Sequence, residues 1–148
     1  SLDEDIFDYV PPQKTNQIFT PRRVVVQMVD LFEQENPGCF DDPEHTFADL
    51  YMKSGLYITE IITRLYNSER MRELFPDERK RLDHILERQV FGIAPTEIIY
   101  QIATHYILGY DGEVGGRCDT NFVRADSAEL AKEGRLAEFV EQTFGGKL

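Results

Sequence analysis

Cysteine, positive charge and long apolar runs are what this chain has least of. Its two cysteines, Cys39 and Cys118, lie far apart and fit no metal-ligand or redox spacing. That removes the case for a disulfide-stapled fold, and the expected setting is a reducing cytoplasm. The three histidines, His45, His84 and His105, stand apart with no cysteine or acid at zinc spacing, so no metal site is expected. His105 falls in an apolar helical stretch and reads as a packed side chain, whereas Asp41, Asp42 and Glu44 read as a solvated loop. No apolar run approaches the roughly 20 residues that a bilayer span takes. Ser1 to Asp5 is acidic where a signal peptide is basic and then apolar, and no membrane partner is expected. Patterns for a nucleophile elbow or a phosphate loop are missing, as are internal repeats.

The shortage of positive charge excludes more. Against 27 Asp and Glu stand 16 Lys and Arg, for a net charge of -11. DNA affinity rests largely on neutralising phosphates, and a surface this acidic repels them. A free-standing nucleic-acid-binding module is therefore excluded. A place within a larger DNA enzyme is not, because acidity also serves solubility. What is present is an ordinary globular composition, 41% hydrophobic and 29% charged. A chain of 148 residues is long enough for one domain with a buried core.

Residues 1–20 read as an acidic, partly extended arm containing Pro11-Pro12, and 21–148 as one partial domain. Pro21 is suited to a helix start, where a missing N–H costs nothing. Val24, Val25, Met28, Val29 and Phe32 then recur on one helical face until Asn36-Pro37-Gly38 stops it. His45 to Leu50 reads as a strand. Leu56, Ile58, Ile61, Ile62 and Leu65 mark a buried helix, and charged turns with Leu82, Ile85 and Leu86 as their apolar stripe follow. Gln89 to Ile93 is a second strand. After Pro95 comes a helix marked by Ile98, Ile99, Ile102, Ala103, Tyr106 and Ile107, then a glycine-rich loop from Gly109 to Asp119. Asn121 to Ala125 is a third strand, and Leu136, Phe139, Val140 and Phe144 mark a last amphipathic helix. Strands alternating with helices give an α/β fold with a parallel, Rossmann-like sheet. Ligands of such sheets bind beyond the carboxyl ends of the strands.

Four segments that converge there carry a family resemblance. Gln17-Ile18-Phe19-Thr20-Pro21 opens the first helix. Asp49-Leu50-Tyr51-Met52-Lys53-Ser54-Gly55 joins the first strand to an apolar helix. Leu86-Glu87 to Gly92-Ile93 leads into Ala94-Pro95-Thr96, and Phe122-Val123-Arg124-Ala125 ends at Asp126. In order and content, over nearly the whole length, they resemble the N6-adenine DNA methyltransferases of bacterial restriction-modification systems. The resemblance implies a truncated, Rossmann-like S-adenosylmethionine-dependent methyltransferase fold. Its three parallel strands would lie in the order third, second, first, with flanking helices.

It also implies roles. Phe19 and Thr20 would belong to an aromatic-Thr-Pro element that closes over the cofactor. Asp49, Tyr51, Lys53, Ser54 and Gly55 would form the loop that holds its methionine part. Asp126 would take the adenine amino group. Two positions depart from the pattern in the first loop: Leu50 replaces a proline and Lys53 a glycine. The acid expected at the end of the second strand, which grips the ribose hydroxyls, is Ala94, leaving Thr96 or Glu97 to substitute.

The catalytic signature of the family, Asn/Asp/Ser-Pro-Pro-aromatic, does not follow Asp126, and Pro11-Pro12 precedes everything else. The motif is expected after Leu148 of a longer protein, so the residues here would include no catalytic group. DNA would be met through that parent, with a fused nuclease a further family possibility. A degenerate methyltransferase-like scaffold is the alternative. A sheet cut at this point leaves the first strand as an edge, and the expectation is self-association there, or cover by the arm or the last helix.

Overall fold

The computed structural model describes residues 20–53, 55–101 and 120–148. Pro21 stands at the N-cap of the first helix, and its carbonyl accepts the N–H groups of Val24 and Val25 at 3.0 and 3.1 Å. Helix α1 (Arg22–Glu35) ends where the Asn36 side chain folds back on the Phe32 carbonyl at 2.9 Å and Gly38 turns the chain at φ 77. A 3-10 turn (Cys39–Asp41) buries Cys39 and Phe40 and leads to strand β1 (Phe47–Asp49). Phe40 stacks on Phe47 with the rings 5.3 Å apart.

Helix α2 (Leu56–Asn67) buries Leu56, Ile58, Ile62 and Leu65, as its spacing requires. Side chains this deep contribute about 1.5–3 kcal/mol each. Short helices α3 (Glu69–Leu74) and α4 (Glu78–His84) are capped by the Ser68 hydroxyl and the Asp77 carboxylate. From α4 the chain passes into a π-helical turn (Ile85–Gln89) and then strand β2 (Val90–Ala94), all five residues of which are buried. Helix α5 begins at 97 and is described to 101. Strand β3 (Phe122–Arg124), α6 (Ser127–Lys132) and α7 (Leu136–Phe144) follow.

The three strands form one parallel sheet in the order β1-β2-β3, with Asp49 beside Gly92 and Ala94 beside Arg124. This is the expected α/β arrangement, with helices on both faces. Val90 and Ala94 face α1 and α2, while Phe91 and Ile93 face Leu136, Phe139, Val140 and Phe144. Arg64 fixes α1 on α2, reaching Asp30 at 2.7 Å, Glu33 at 3.1 Å and Glu60 at 2.8 Å.

Four local expectations need correction. Gln89 is not a strand residue: it closes the π turn, and its side chain donates to the carbonyls of Asp42 and His45, each at 3.0 Å. Met28 and Phe32 share the apolar face of α1 but stay 48% and 40% exposed, although the Tyr57 hydroxyl reaches the Met28 sulfur at 2.9 Å and the Phe32 ring lies 5.9 Å from that of Phe47. Ile98 is 43% exposed while its neighbour Ile99 is buried, so the described part of α5 turns Ile99 and, in part, Tyr100 inward and leaves Ile98 in water. The last helix does not cover the edge of β1: α7 packs on a face of the sheet, against Phe91 and Ile93. Ile102, Ala103, Tyr106, Ile107 and the Gly109 to Asp119 loop lie outside the described residues, as does the arm before Thr20.

Candidate functional site

Parallel strands end at one edge of their sheet, and here that edge gathers Asp49 at the end of β1, Ala94 at the end of β2 and Asp126 just beyond β3. How the chain leaves β1 is decided by Met52. Its N–H donates to the Ile93 carbonyl at 3.0 Å, so the connection runs alongside β2 before turning into α2. Its side chain, 1% exposed, lies over Gly92, where any Cβ would collide with the Met52 sulfur and, at 2.9 Å, with the Phe122 ring. With Met52 inside, its neighbours Tyr51 and Lys53 are left exposed. Gly55 then takes φ 81, a left-handed conformation natural to glycine, and caps α2. Its carbonyl accepts both the N–H and the hydroxyl of Thr59, at 3.0 and 2.8 Å.

Asp49 is half-buried at the root of this connection. Among the described residues its carboxylate accepts one hydrogen bond, from the Tyr51 N–H at 3.1 Å. Burial pushes its carboxyl above the usual carboxylate range, and the Tyr51 bond offsets part of that. An acid in this state has acceptor capacity to spare for a cationic donor.

At the end of β2 the expected acid is absent, and the candidate substitutes are engaged elsewhere. The Thr96 hydroxyl accepts the Ile99 N–H at 3.3 Å, capping α5. Glu97 pairs with Arg124, the last residue of β3, at 3.0 Å on the exposed surface. Asp126 is exposed and caps α6 through the Glu129 N–H at 3.0 Å. Beside it Ser127 is 3% exposed, and its hydroxyl has no partner among the described residues. Thr20 is half-buried ahead of α1. Phe19 and Ser54 lie outside the described residues.

The structure thus brings Asp49, the Tyr51 to Gly55 connection, Thr96 and Asp126 to one edge of the sheet. Two features escaped the sequence reading. The Glu97–Arg124 pair joins residues far apart in the chain, with no local pattern to announce it. The burial of Met52 had a signal, the single Gly92 in an otherwise apolar strand, since such a glycine marks a close approach.

A groove of about 500 Å³ runs along the outer edge of β1, between Thr46 to Asp49 and the side chains of Met28, Val29, Phe32, Tyr57 and Ile61. Among the described residues, no group of His, Cys, Asp and Glu could hold a metal ion, and no helix is long and apolar enough to cross a membrane. Burial pushes the Cys39 thiol up, the opposite of an activated nucleophile.

The chain is similar to a bacterial methylase. The relative, from Mycoplasma pneumoniae, is described as "Uncharacterized adenine-specific methylase", with 25% identity over 93 residues. The match takes in 63% of this chain and 22% of the relative, so the chain spans about a fifth of that protein's length. No protein-family model matches the chain, and no solved structure does.

Proposed function

We propose that this chain is the cofactor-binding part of a methyltransferase that transfers a methyl group from S-adenosylmethionine to adenine N6 in DNA, of the restriction-modification kind. The observation that carries the reading is the meeting, at the carboxyl edge of a parallel sheet, of Asp49, the left-handed Gly55 at a helix start, and Asp126. The likeness to the Mycoplasma pneumoniae methylase supports it.

The residues fit one end of such a ligand well. Asp49, with a single described hydrogen-bond donor, suits the ammonium of the methionine part, and a hydrogen bond to a charged group is the strong kind. Gly55 has no Cβ to hold a ligand away from the start of α2. Lys53, exposed in the same connection, would meet the carboxylate of the methionine part. Asp126 keeps its second carboxylate oxygen for the adenine amino group while the first caps α6. The ribose end fits less directly, because β2 closes on Ala94. Glu97 is the next carboxylate along the chain, and an exposed ion pair such as Glu97–Arg124 is worth only about 0–1 kcal/mol, so redirecting it to a diol costs little. S-adenosylmethionine would supply the activated methyl group; the residues of this chain would bind and orient it. DNA would be engaged by other parts of a larger protein, given the charge of -11.

The engagement of Thr96 and Glu97 elsewhere favours one rival, a scaffold of the same fold that has lost its ligand. Calorimetric titration with S-adenosylmethionine separates the two. Binding that weakens in Asp49→Asn and in Asp126→Asn supports the proposal. Absence of binding at millimolar ligand leaves the scaffold.

A further inference from the structure

Arg81, on α4, is a cation taken almost wholly out of water, with 4% of its surface exposed. Arg64 is also withdrawn from solvent, but three carboxylates hold it. Arg81 has no such company. Among the described residues no carboxylate forms an ion pair with its guanidinium, and its buried Nε finds no hydrogen-bond acceptor. The guanidinium lies over the Tyr66 ring, with Cζ 4.4 Å from the centroid. That contact offsets part of the lost hydration but replaces none of the lost hydrogen bonds. A buried guanidinium in this state lacks an anion.

There is room for one. Arg81 lines a concavity of about 590 Å³ together with Glu69, Arg72 and Glu73 of α3, Glu78 of α4, and Pro76 between the two helices. The planar fork of a guanidinium matches the two oxygens of a carboxylate. A simple anion is nevertheless a poor match, because the exposed lining sets three acids, Glu69, Glu73 and Glu78, against the single base Arg72. Glu73 is shared with Arg70 at 3.4 Å. Glu78 stands beside Tyr66, whose hydroxyl is pushed up by burial and then by that carboxylate. Glu69 pairs with no base among the described residues. Nor do these acids form a group that could hold a metal ion.

The buried part of the concavity therefore suits a negative group and the exposed part a positive one. We infer that the concavity between α3 and α4 is a binding site for a small amino-acid-like zwitterion, its carboxylate on the Arg81 guanidinium and its ammonium among Glu69, Glu73 and Glu78. None of these residues belongs to the proposed cofactor site, so the two readings stand or fall separately.

The test follows the Arg81 Nε–H signal of the whole chain by NMR, assigned through its contact with the Tyr66 ring, during titration with glycine, acetate and inorganic phosphate. Glycine shifts the signal to saturation. Acetate, which has the carboxylate without the amine, binds about threefold more weakly, the scale of one exposed ion pair, and phosphate more weakly still. Glu69→Gln weakens glycine about threefold and leaves acetate no weaker. Arg81→Lys keeps the charge without the fork and loses glycine, as read from the remaining amides of α3 and α4; circular dichroism confirms that each variant is folded. Should Arg81→Lys not fold, the three probes and Glu69→Gln decide. No saturable shift at tens of millimolar glycine overturns the inference. Acetate or phosphate binding as tightly as glycine overturns it too, as does glycine affinity unchanged in both Glu69→Gln and Glu73→Gln.

Discussion

The Met52 N–H donates to the Ile93 carbonyl at 3.0 Å, although the β1 residue paired furthest along β2 is Asp49, beside Gly92. The chain leaves the ladder at Asp49, loops out through Leu50 and Tyr51, and rejoins β2 before turning into α2. This detour sets the shape of the candidate cofactor loop, and it depends on Gly92 leaving room for the Met52 side chain.

Gly92→Ala is expected to destabilise the chain by about 1–3 kcal/mol, the range for overpacking a well-filled core. Met52→Ala in the same chain should recover part of that loss, because it removes one of the two groups the new methyl meets. Urea unfolding of the two single variants and the double variant measures the coupling. Additive losses would show that Met52 does not lie over Gly92.

Asp49→Asn should separate stability from binding. Burial raises the Asp49 carboxyl in the folded chain, so its contribution to stability is fully present below the ordinary carboxylate pKa of 3.8 and is lost as pH rises through the higher folded value. The asparagine variant lacks this loss and should be the more stable protein at neutral pH, with the difference shrinking on acidification. The same change should weaken S-adenosylmethionine about tenfold or more, the scale of one hydrogen bond to a charged group. Melting temperatures across pH, paired with calorimetry, check both signs.

At Asp126 the helix cap and the ligand contact can be told apart. Asp126→Ala removes the bond to the Glu129 N–H and should cost about 1 kcal/mol. Asp126→Asn keeps a good cap and should leave the unfolding midpoint nearly unchanged. If the asparagine variant also binds S-adenosylmethionine as the parent does, the carboxylate has no part in the ligand site.

Arg64→Ala should loosen α1 from α2. The guanidinium is mostly buried and serves Asp30, Glu33 and Glu60, so its loss leaves three acids facing one another without their cation. A loss of about 1–3 kcal/mol is expected, between the values for exposed and buried pairs. Added salt screens the remaining acids and should narrow the gap to the parent chain. A gap that salt does not change would mean that Arg64 acts through its packing over Phe40 instead.

Periodicity made the frame legible. Leu56, Ile58, Ile62 and Leu65 announce α2, the short apolar runs around Phe47, Phe91 and Phe122 announce parallel strands, and Pro21 and Gly38 bracket α1. Edges were less so. Gln89 looked like a strand residue because a polar side chain at a strand start carries no sign that it will reach back to the Asp42 and His45 carbonyls. Met28 and Phe32 looked like core, since spacing identifies an apolar face without saying how much of it finds a partner. At the candidate site, Asp49, Gly55 and Asp126 were readable as strand-end and turn residues, each within a local pattern. The Glu97–Arg124 pair was not, because it depends on which strands become neighbours.

The π-helical turn from Ile85 to Gln89 takes up one residue more than an α-helical turn would. Asn121 makes that wide turn sustainable, its side-chain amide donating to the carbonyls of Leu86 and Glu87 at 3.2 and 2.9 Å. Wound at the ordinary pitch, the same residues would carry one position too many into β2, and a strand displaced by one position presents every side chain to the opposite side. Phe91 would stand where Gly92 now makes way for Met52, and Val90 would turn toward Phe144. The wide turn acts as a phase adjuster between helix and strand, and the open connection after β1 exists because β2 arrives in step.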